Sequence, residues 1–239
     1  MEYSCIGLNN LSDEILMIIF QKLNNIDVLY SFQGVNQRLN KIIHDPTFTS
    51  RWSFVKWLSG GFIDLFCSDI MLNRFCLKIL PEIHDKIKWL DLESSSMKHV
   101  LHAINYPNLD TLGLYNINEE SARSLFTVYN HNDYEKMILS VENIFDKILT
   151  VFTRLITFVL YESSDKNCVR LHFDDFQLPK IRSSTLMKFN IRVHTFDDCL
   201  YLLDGRFNQL HTLYVDADDI FCVDEIKNQV RFTRKMSML

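Results

Sequence analysis

The feature that most restricts the fold of this chain is a short apolar window that keeps returning in its second half. The pattern apolar-x-x-apolar-x-apolar occurs as Ile87-Leu90-Leu92, Leu109-Leu112-Leu114, Leu155-Phe158-Leu160, Leu186-Phe189-Ile191 and Leu210-Leu213-Val215. Alternation over the last two apolar positions is the period of a strand that buries one face. Successive windows start 22, 46, 31 and 24 residues apart. The 46-residue step is close to two repeats, with Tyr134-Met137-Leu139 as the candidate for a missing window. The 31-residue step would hold one repeat with an insertion, where Cys168-Leu171-Phe173 makes a spare strand-like pattern.

Amphipathic helices are expected between the windows, because apolar residues there recur at helical spacing. Met97, Val100, Leu101 and Ile104 form one stripe, and Phe196, Cys199, Leu200 and Leu203 another. Ile144, Phe145, Ile148, Leu149 and Phe152 make a third, and Ala122, Leu125, Phe126 and Tyr129 a fourth. A strand followed by a helix at this period resembles the leucine-rich repeats, whose period is about 20 to 29 residues. One such unit cannot bury its own apolar faces, so the resemblance implies stacking into a curved parallel sheet with helices outside. An irregular α/β fold without true repeats is the competing reading. Six Gly and four Pro in 239 residues fall well below average usage, which would give roughly 17 and 12. That shortage argues against a turn-rich barrel and against glycine-rich phosphate loops.

The N-terminal residues follow a different rule. Leu16, Ile19, Phe20 and Leu23 lie at i, i+3, i+4 and i+7 within LSDEILMIIFQKL, so Leu11 to Leu23 is expected to be a helix. Asn10 or Ser12 can cap it, and Asp13 and Glu14 suit its positive end. Ile15 and Ile18 widen the apolar surface beyond what a small three-helix unit can bury, which points to a partner. Asp27 is the expected cap of a short helix carrying Val28, Leu29 and Phe32, and Gly34 marks a bend or helix end. Val35, Leu39, Ile42 and Ile43 predict a third helix, stopped by Pro46.

In this order, L-S-D-E-I-L-x-x-I-F-x-x-L, then Asp27-Val28-Leu29, then Val35-Asn36-Gln37-Arg38-Leu39-Asn40 resembles an F-box. The resemblance covers about forty residues. It implies a helical unit that docks on a Skp-family adaptor and, through it, on cullin and RING subunits of a ubiquitin ligase. The positions it singles out for the adaptor are Leu11, Ser12, Ile15, Leu16 and Ile19 of the first helix, with Leu29, Val35 and Leu39 of the next two. Some of these must form the unit's own core.

The expected organisation is an α/β chain in four parts: an F-box-like three-helix unit at 5–46, a helical connector at 47–86, a leucine-rich-repeat-like solenoid at 87–222 and a tail at 223–239. In the connector, Phe48, Trp52 and Val55 keep helical spacing, and a further helix is expected from about Ile70 to Leu80, before Pro81. After the last window the tail offers two alternatives, a short final helix from Val223 to Val230 or a shortened gene product.

Signals for catalysis are weak. No Gly-x-Gly-x-x-Gly, Gly-x-x-x-x-Gly-Lys or Gly-x-Ser-x-Gly occurs, so phosphate loops and a nucleophile elbow of those types are missing. His99 and His102 share a helical face without a third metal ligand at useful spacing. Asp174-Asp175, Asp197-Asp198 and Asp218-Asp219 read as surface charges or caps, since adjacent side chains point apart. No cofactor, metal or catalytic residue is expected. Net charge is -5, with five acidic and five basic side chains in residues 1–60, which leaves no basic face for nucleic acid. Lys227, Arg231, Arg234 and Lys235 read as a solvated tail. Cys5, Cys67, Cys76, Cys168, Cys199 and Cys222 show no regular framework. Reduced thiols, the lack of a signal-like start and the lack of a spanning apolar run predict a soluble cytoplasmic or nuclear protein without a membrane partner.

What remains is recognition. If each window turns its leucines inward, alternation puts the flanking residues on the opposite, concave face. These are Trp89, Asp91 and Glu93; Thr111 and Tyr115; Thr157 and Tyr161; Lys188, Asn190 and Arg192; and Thr212, Tyr214 and Asp216. Trp and Tyr are common interface anchors, although strands favour them regardless of function. The expected function is a non-catalytic substrate receptor of a ubiquitin ligase, holding an unidentified protein target on its repeat domain. The alternative is a non-ligase interaction scaffold whose N-terminal helices only cap the solenoid. A cap would bury Ile15, Leu16 and Ile19 against Trp52 or the first repeat, whereas a docking unit leaves part of that surface exposed.

Overall fold

The computed structural model describes residues 7–58, 61–64, 69–117, 148–161, 182–219 and 236–238. It is a mixed helix and sheet fold in which an N-terminal helical unit leads into a six-stranded parallel sheet. After a 3-10 turn at Leu8–Asn10, the helical unit consists of α1 (Asp13–Phe20), α2 (Asn25–Phe32), α3 (Gln37–Ile43) and the single turn α4 (Pro46–Thr49). Its helices are short, and α2, α3 and α4 begin with side-chain caps, whereas Ser12 holds the cap position of α1 without a cap hydrogen bond. The Asn24 side chain accepts from the Ile26 amide, Asn36 from Leu39 and Asp45 from Thr47, each satisfying one orphan donor of a helix start. The cap of α2 is therefore Asn24; Asp27, expected in that role, sits in the first turn, where its charge suits the helix dipole. Pro46 begins α4 instead of ending α3, at the first helical position where proline loses no hydrogen bond. Gly34, at φ +80°, makes the left-handed turn after α2 that a side chain would resist.

The segment expected to be a helical connector is only partly helical. Arg51–Ser53 forms strand β1, and Val55–Leu58 and Gly61–Asp64 form an antiparallel hairpin, β2 and β3. Trp52 thus lies on a strand, paired with Leu90. Helix returns as α5 (Asp69–Arg74), a π-helical turn at Phe75–Ile79 and α6 (Leu80–Ile83), so Pro81 does not stop it. The Leu80 amide donates to Phe75; such a widened turn displaces the carbonyl that the Pro81 ring would meet in an α-helix. Gln33 and Arg74 side chains donate to the carbonyls of Lys78 and Tyr30 at 3.2 and 3.0 Å and tie α2 to this helix.

The sheet follows the windows. Strands β4 (Trp89–Glu93), β5 (Thr111–Tyr115), β6 (Thr157–Tyr161), β7 (Lys188–Thr195) and β8 (Thr212–Asp219) lie side by side in chain order, all parallel, with β1 beside β4. Leu90, Leu112, Phe158, Phe189 and Leu213 fall in one register row and are all buried. Helix α7 (Ser94–Ala103) follows β4 and buries Met97 and Val100, as its stripe predicts. In α8 (Phe196–Leu202) the inward residues are Cys199 and Leu202, whereas Leu200 and Leu203, expected in the stripe, are exposed. Thr195 and Asp198 form a reciprocal capping box at its start, which uses one of the paired aspartates. Thr195→Ala is expected to cost about 1 kcal/mol, read as a lower urea midpoint with unchanged slope.

The windows proposed at Tyr134-Met137-Leu139 and Cys168-Leu171-Phe173, the stripe from Ala122 to Tyr129, Ile144 and Phe145, and Val223 to Val230 lie outside the described residues. Among the described residues β5 pairs directly with β6 and β6 with β7. Lys227, Arg231, Arg234 and Lys235, read as a solvated tail, lie outside the described residues, and Met236–Met238 adds an antiparallel strand β9 on β8. No helix among the described residues is long and apolar enough to cross a membrane.

Candidate functional site

Two surfaces stand out, one on the helical unit and one on the sheet. On α1, Leu16 and Phe20 are fully buried, and Phe20 stacks on Phe32 with ring centroids 4.5 Å apart. The adjoining side of the same helix is apolar too, yet Ile15, Ile18 and Ile19 stand 46, 59 and 38% exposed. Leu8 and Leu23, at either end of α1, and Val35, before α3, are also exposed. The apolar arc of α1 is therefore wider than the part of it that packs into the core. Covering these side chains is worth on the order of 1 kcal/mol each, and contiguous surface of this kind marks an interaction site.

The unit's internal bonds fix this surface. Arg38 of α3 binds the Asp13 carboxylate at 2.6 Å and the Leu11 carbonyl, holding the start of α3 beside the start of α1. A hydrogen bond from Ser12 holds the Glu14 carboxyl below its ordinary range. Of the eight positions singled out for the adaptor, Leu16, Leu29 and Leu39 belong to the core. Ser12, Ile15, Ile19 and Val35 are exposed and Leu11 is half-buried. Sequence reasoning noted Ile18 as excess apolar surface without assigning it to the site, although it is the most exposed of the three isoleucines.

The polar face of the sheet is the second surface. Register places Trp89, Thr111, Thr157, Lys188 and Thr212 in one row, and Asp91, Gly113, Val159, Asn190 and Tyr214 in the next. Glu93, Tyr115 and Tyr161 share a third row, and Arg192 pairs with Asp216. Asp91, expected to be a free contact residue, is instead buried, and it organises its neighbours. Its carboxylate accepts from Trp89 Nε1 at 2.8 Å and bonds the Ser53 and Tyr115 hydroxyls. Burial raises its pKa against these bonds, and burial likewise pushes the Tyr115 phenol up to about 12. The Arg51 guanidinium lies 4.0 Å above the Trp89 ring, a favourable cation–π arrangement.

Gly113 makes room for this cluster. A Cβ there would sit 2.3 Å from Asp91 Oδ1 and 2.7 Å from Tyr115 Cε2, so the carboxylate and the phenol ring lean over β5. Gly113→Ala must push Asp91 off Trp89, at about 1–3 kcal/mol; a urea midpoint equal to wild type would show that the cluster yields freely. Farther along the face, Tyr115 and Tyr161 are 6.5 Å apart, Arg192 lies 5.7 Å over Tyr161, and Arg192 pairs with Asp216 at 2.9 Å. Lys188 and Tyr214 are exposed.

Other chemistry is sparse. Among the described residues no group of three or more His, Cys, Asp or Glu is placed to hold a metal ion. His99 and His102 are exposed on α7. Cys76 and Cys199 are free thiols whose pKa burial pushes up, the opposite of an activated nucleophile; Cys5, Cys67, Cys168 and Cys222 lie outside the described residues.

Comparison with known families agrees with the helical unit. Residues 8–51 match the model of the F-box domain, a span that takes in α1 to α4 and the first residue of β1. No curated protein matches the chain.

Proposed function

We propose that this chain, which carries an F-box domain at residues 8–51, docks on a Skp-family adaptor and serves as a non-catalytic substrate receptor of a cullin- and RING-containing ubiquitin ligase. The observation that carries the reading is the exposed apolar arc of Ile15, Ile18 and Ile19 within the matched residues. The mechanism is proximity: a target held on the same chain meets the activated ubiquitin at high local concentration, and this chain need supply no nucleophile or base. The target surface is the polar face of the sheet, and the part from β4 to β8 is a leucine-rich-repeat-like solenoid. In support, those five strands are parallel neighbours in chain order and carry the same apolar window. Reduced Cys76 and Cys199 suit a cytoplasmic or nuclear setting.

The scaffold alternative, in which the helices only cap the sheet, requires Ile15, Leu16 and Ile19 to be covered. Leu16 meets that requirement and the two isoleucines do not. The test is direct binding of the purified full chain to a Skp-family adaptor by calorimetry. A folded wild-type chain with no affinity at micromolar concentration rejects the ligase reading and leaves the scaffold.

A further inference from the structure

Docking through α1 also involves the residues that lead into it, because they carry apolar surface of their own. Leu8 is 42% exposed, and Leu11 packs only partly on the core. The backbone bonds of this segment are local: the Asn10 amide donates to the Gly7 carbonyl at 2.9 Å and the Leu11 amide to Leu8 at 3.2 Å. A single 3-10 turn held by bonds of this kind is not stable by itself. Ser12 makes no cap hydrogen bond to pin the junction with α1. The long-range hold comes from α3. The Arg38 guanidinium donates from Nε to Asp13 Oδ1 at 2.6 Å and from Nη2 to the Leu11 carbonyl, so one planar group bridges the lead-in backbone and the first residue of α1. The Arg38 and Asp13 side chains are 37 and 54% exposed, and an exposed ion pair adds little to global stability. Its value is geometric. Arginine presents its donors in a fixed fork, whereas a Lys ammonium on a flexible stem is a single point charge.

From this arrangement we infer that Arg38 is a positioning residue for adaptor docking: it clasps the lead-in segment to α3, so that Leu8 joins Ile15 and Ile19 in the apolar surface the adaptor covers. Ordering a loose segment at the moment of docking costs conformational entropy, and a segment ordered beforehand avoids that cost. Arg38 therefore acts through Leu11 and Asp13, and its effect on affinity requires no contact of its own with the adaptor. The inference rests on the reading of the α1 arc as the docking surface; it adds what holds that surface in shape and extends it to Leu8.

The experiment measures the affinity of full-chain variants for a purified Skp-family adaptor by calorimetry, together with amide exchange and urea unfolding of each free chain. Arg38→Met is expected to weaken binding about tenfold and to speed exchange at residues 8–12, with a urea midpoint near that of wild type. Arg38→Lys, which keeps the charge opposite Asp13 and loses the fork, should fall between the two. Asp13→Asn should weaken binding in the wild-type background and add almost nothing to Arg38→Met, the coupling expected of a single clasp. Leu8→Ala should weaken binding with the clasp intact. Wild-type affinity in folded Arg38→Met or Leu8→Ala overturns the inference and leaves the α1 arc as the docking surface. Weakened binding by Arg38→Met with unchanged exchange at residues 8–12 also overturns it, because Arg38 would then touch the adaptor directly. Should Arg38→Met fail to fold, Asp13→Asn decides by the same two readouts. A folded wild-type chain that does not bind the adaptor removes the docking reading and the inference with it.

Discussion

Ile19→Asp is expected to abolish adaptor binding while leaving the chain folded. Ile19 is 38% exposed in the free chain, so a carboxylate there remains hydrated and the fold loses little. In the docked state the same carboxylate would be covered by apolar surface with no partner, a penalty of several kcal/mol. A loss of at least about 100-fold in affinity, near 2.7 kcal/mol, should appear by calorimetry with the circular dichroism spectrum unchanged, and Ile15→Asp should behave alike. Leu16→Asp is the contrasting variant, because Leu16 is fully buried. Its charge would be buried in the helical unit itself, and loss of binding would then come from loss of structure. Unaltered binding by folded Ile15→Asp and Ile19→Asp proteins rules this arc out as the docking surface.

Trp52→Ala should be the most damaging substitution for stability. Trp52 is fully buried, its ring centroid is 5.8 Å from Phe54 and 5.1 Å from Phe75, and its indole donates to the Thr49 carbonyl at 3.0 Å. It stands where α4 ends, β1 begins and the π-helical turn packs. Truncating an aromatic in such a place costs about 3–5 kcal/mol, set against a typical total of about 5–15 kcal/mol. Urea unfolding followed by circular dichroism should show one transition at a much lower midpoint. A loss under about 1 kcal/mol, or a split transition in which only the helical signal moves, would mean that helices and sheet do not share this core.

Much of the sheet was legible because its signal is local. A strand with one buried face must alternate, so Leu90 and Leu92, Leu112 and Leu114, and Phe158 and Leu160 announced their register row from sequence. The helical unit was legible for a similar reason, since its stripe, acidic first turn and turn residues lie within a few positions of each other. What escaped is what depends on distant partners. Strand β1 is three residues long and exists because β4 offers it an edge, and β9 likewise needs β8. Alternation put Asp91 on the polar face correctly, but its burial comes from Ser53, Trp89 and Tyr115 closing over Gly113. Asn24 displaced Asp27 as a cap because two nearby residues had equally suitable side chains and only backbone geometry chose between them. The exposed arc of α1 was legible as excess apolar residues, while its division into core and surface required the position of α3.

Strand β1 has a mechanical consequence. The matched helical unit runs without a linker into a strand hydrogen-bonded to β4, and one continuous apolar core extends from Leu16 to Val215. A chain built this way behaves as a lever and not as a tether. The angle at which the sheet face is presented is set by the strand junction, and thermal swinging cannot sample many others. A flexible link would raise local concentration over a broad volume; a stiff one concentrates it in one direction. On the proposed reading of the chain as a ligase receptor, the lysines of a target that come within reach of ubiquitin transfer would be decided by shape, through the few residues between α4 and β4, as much as by affinity.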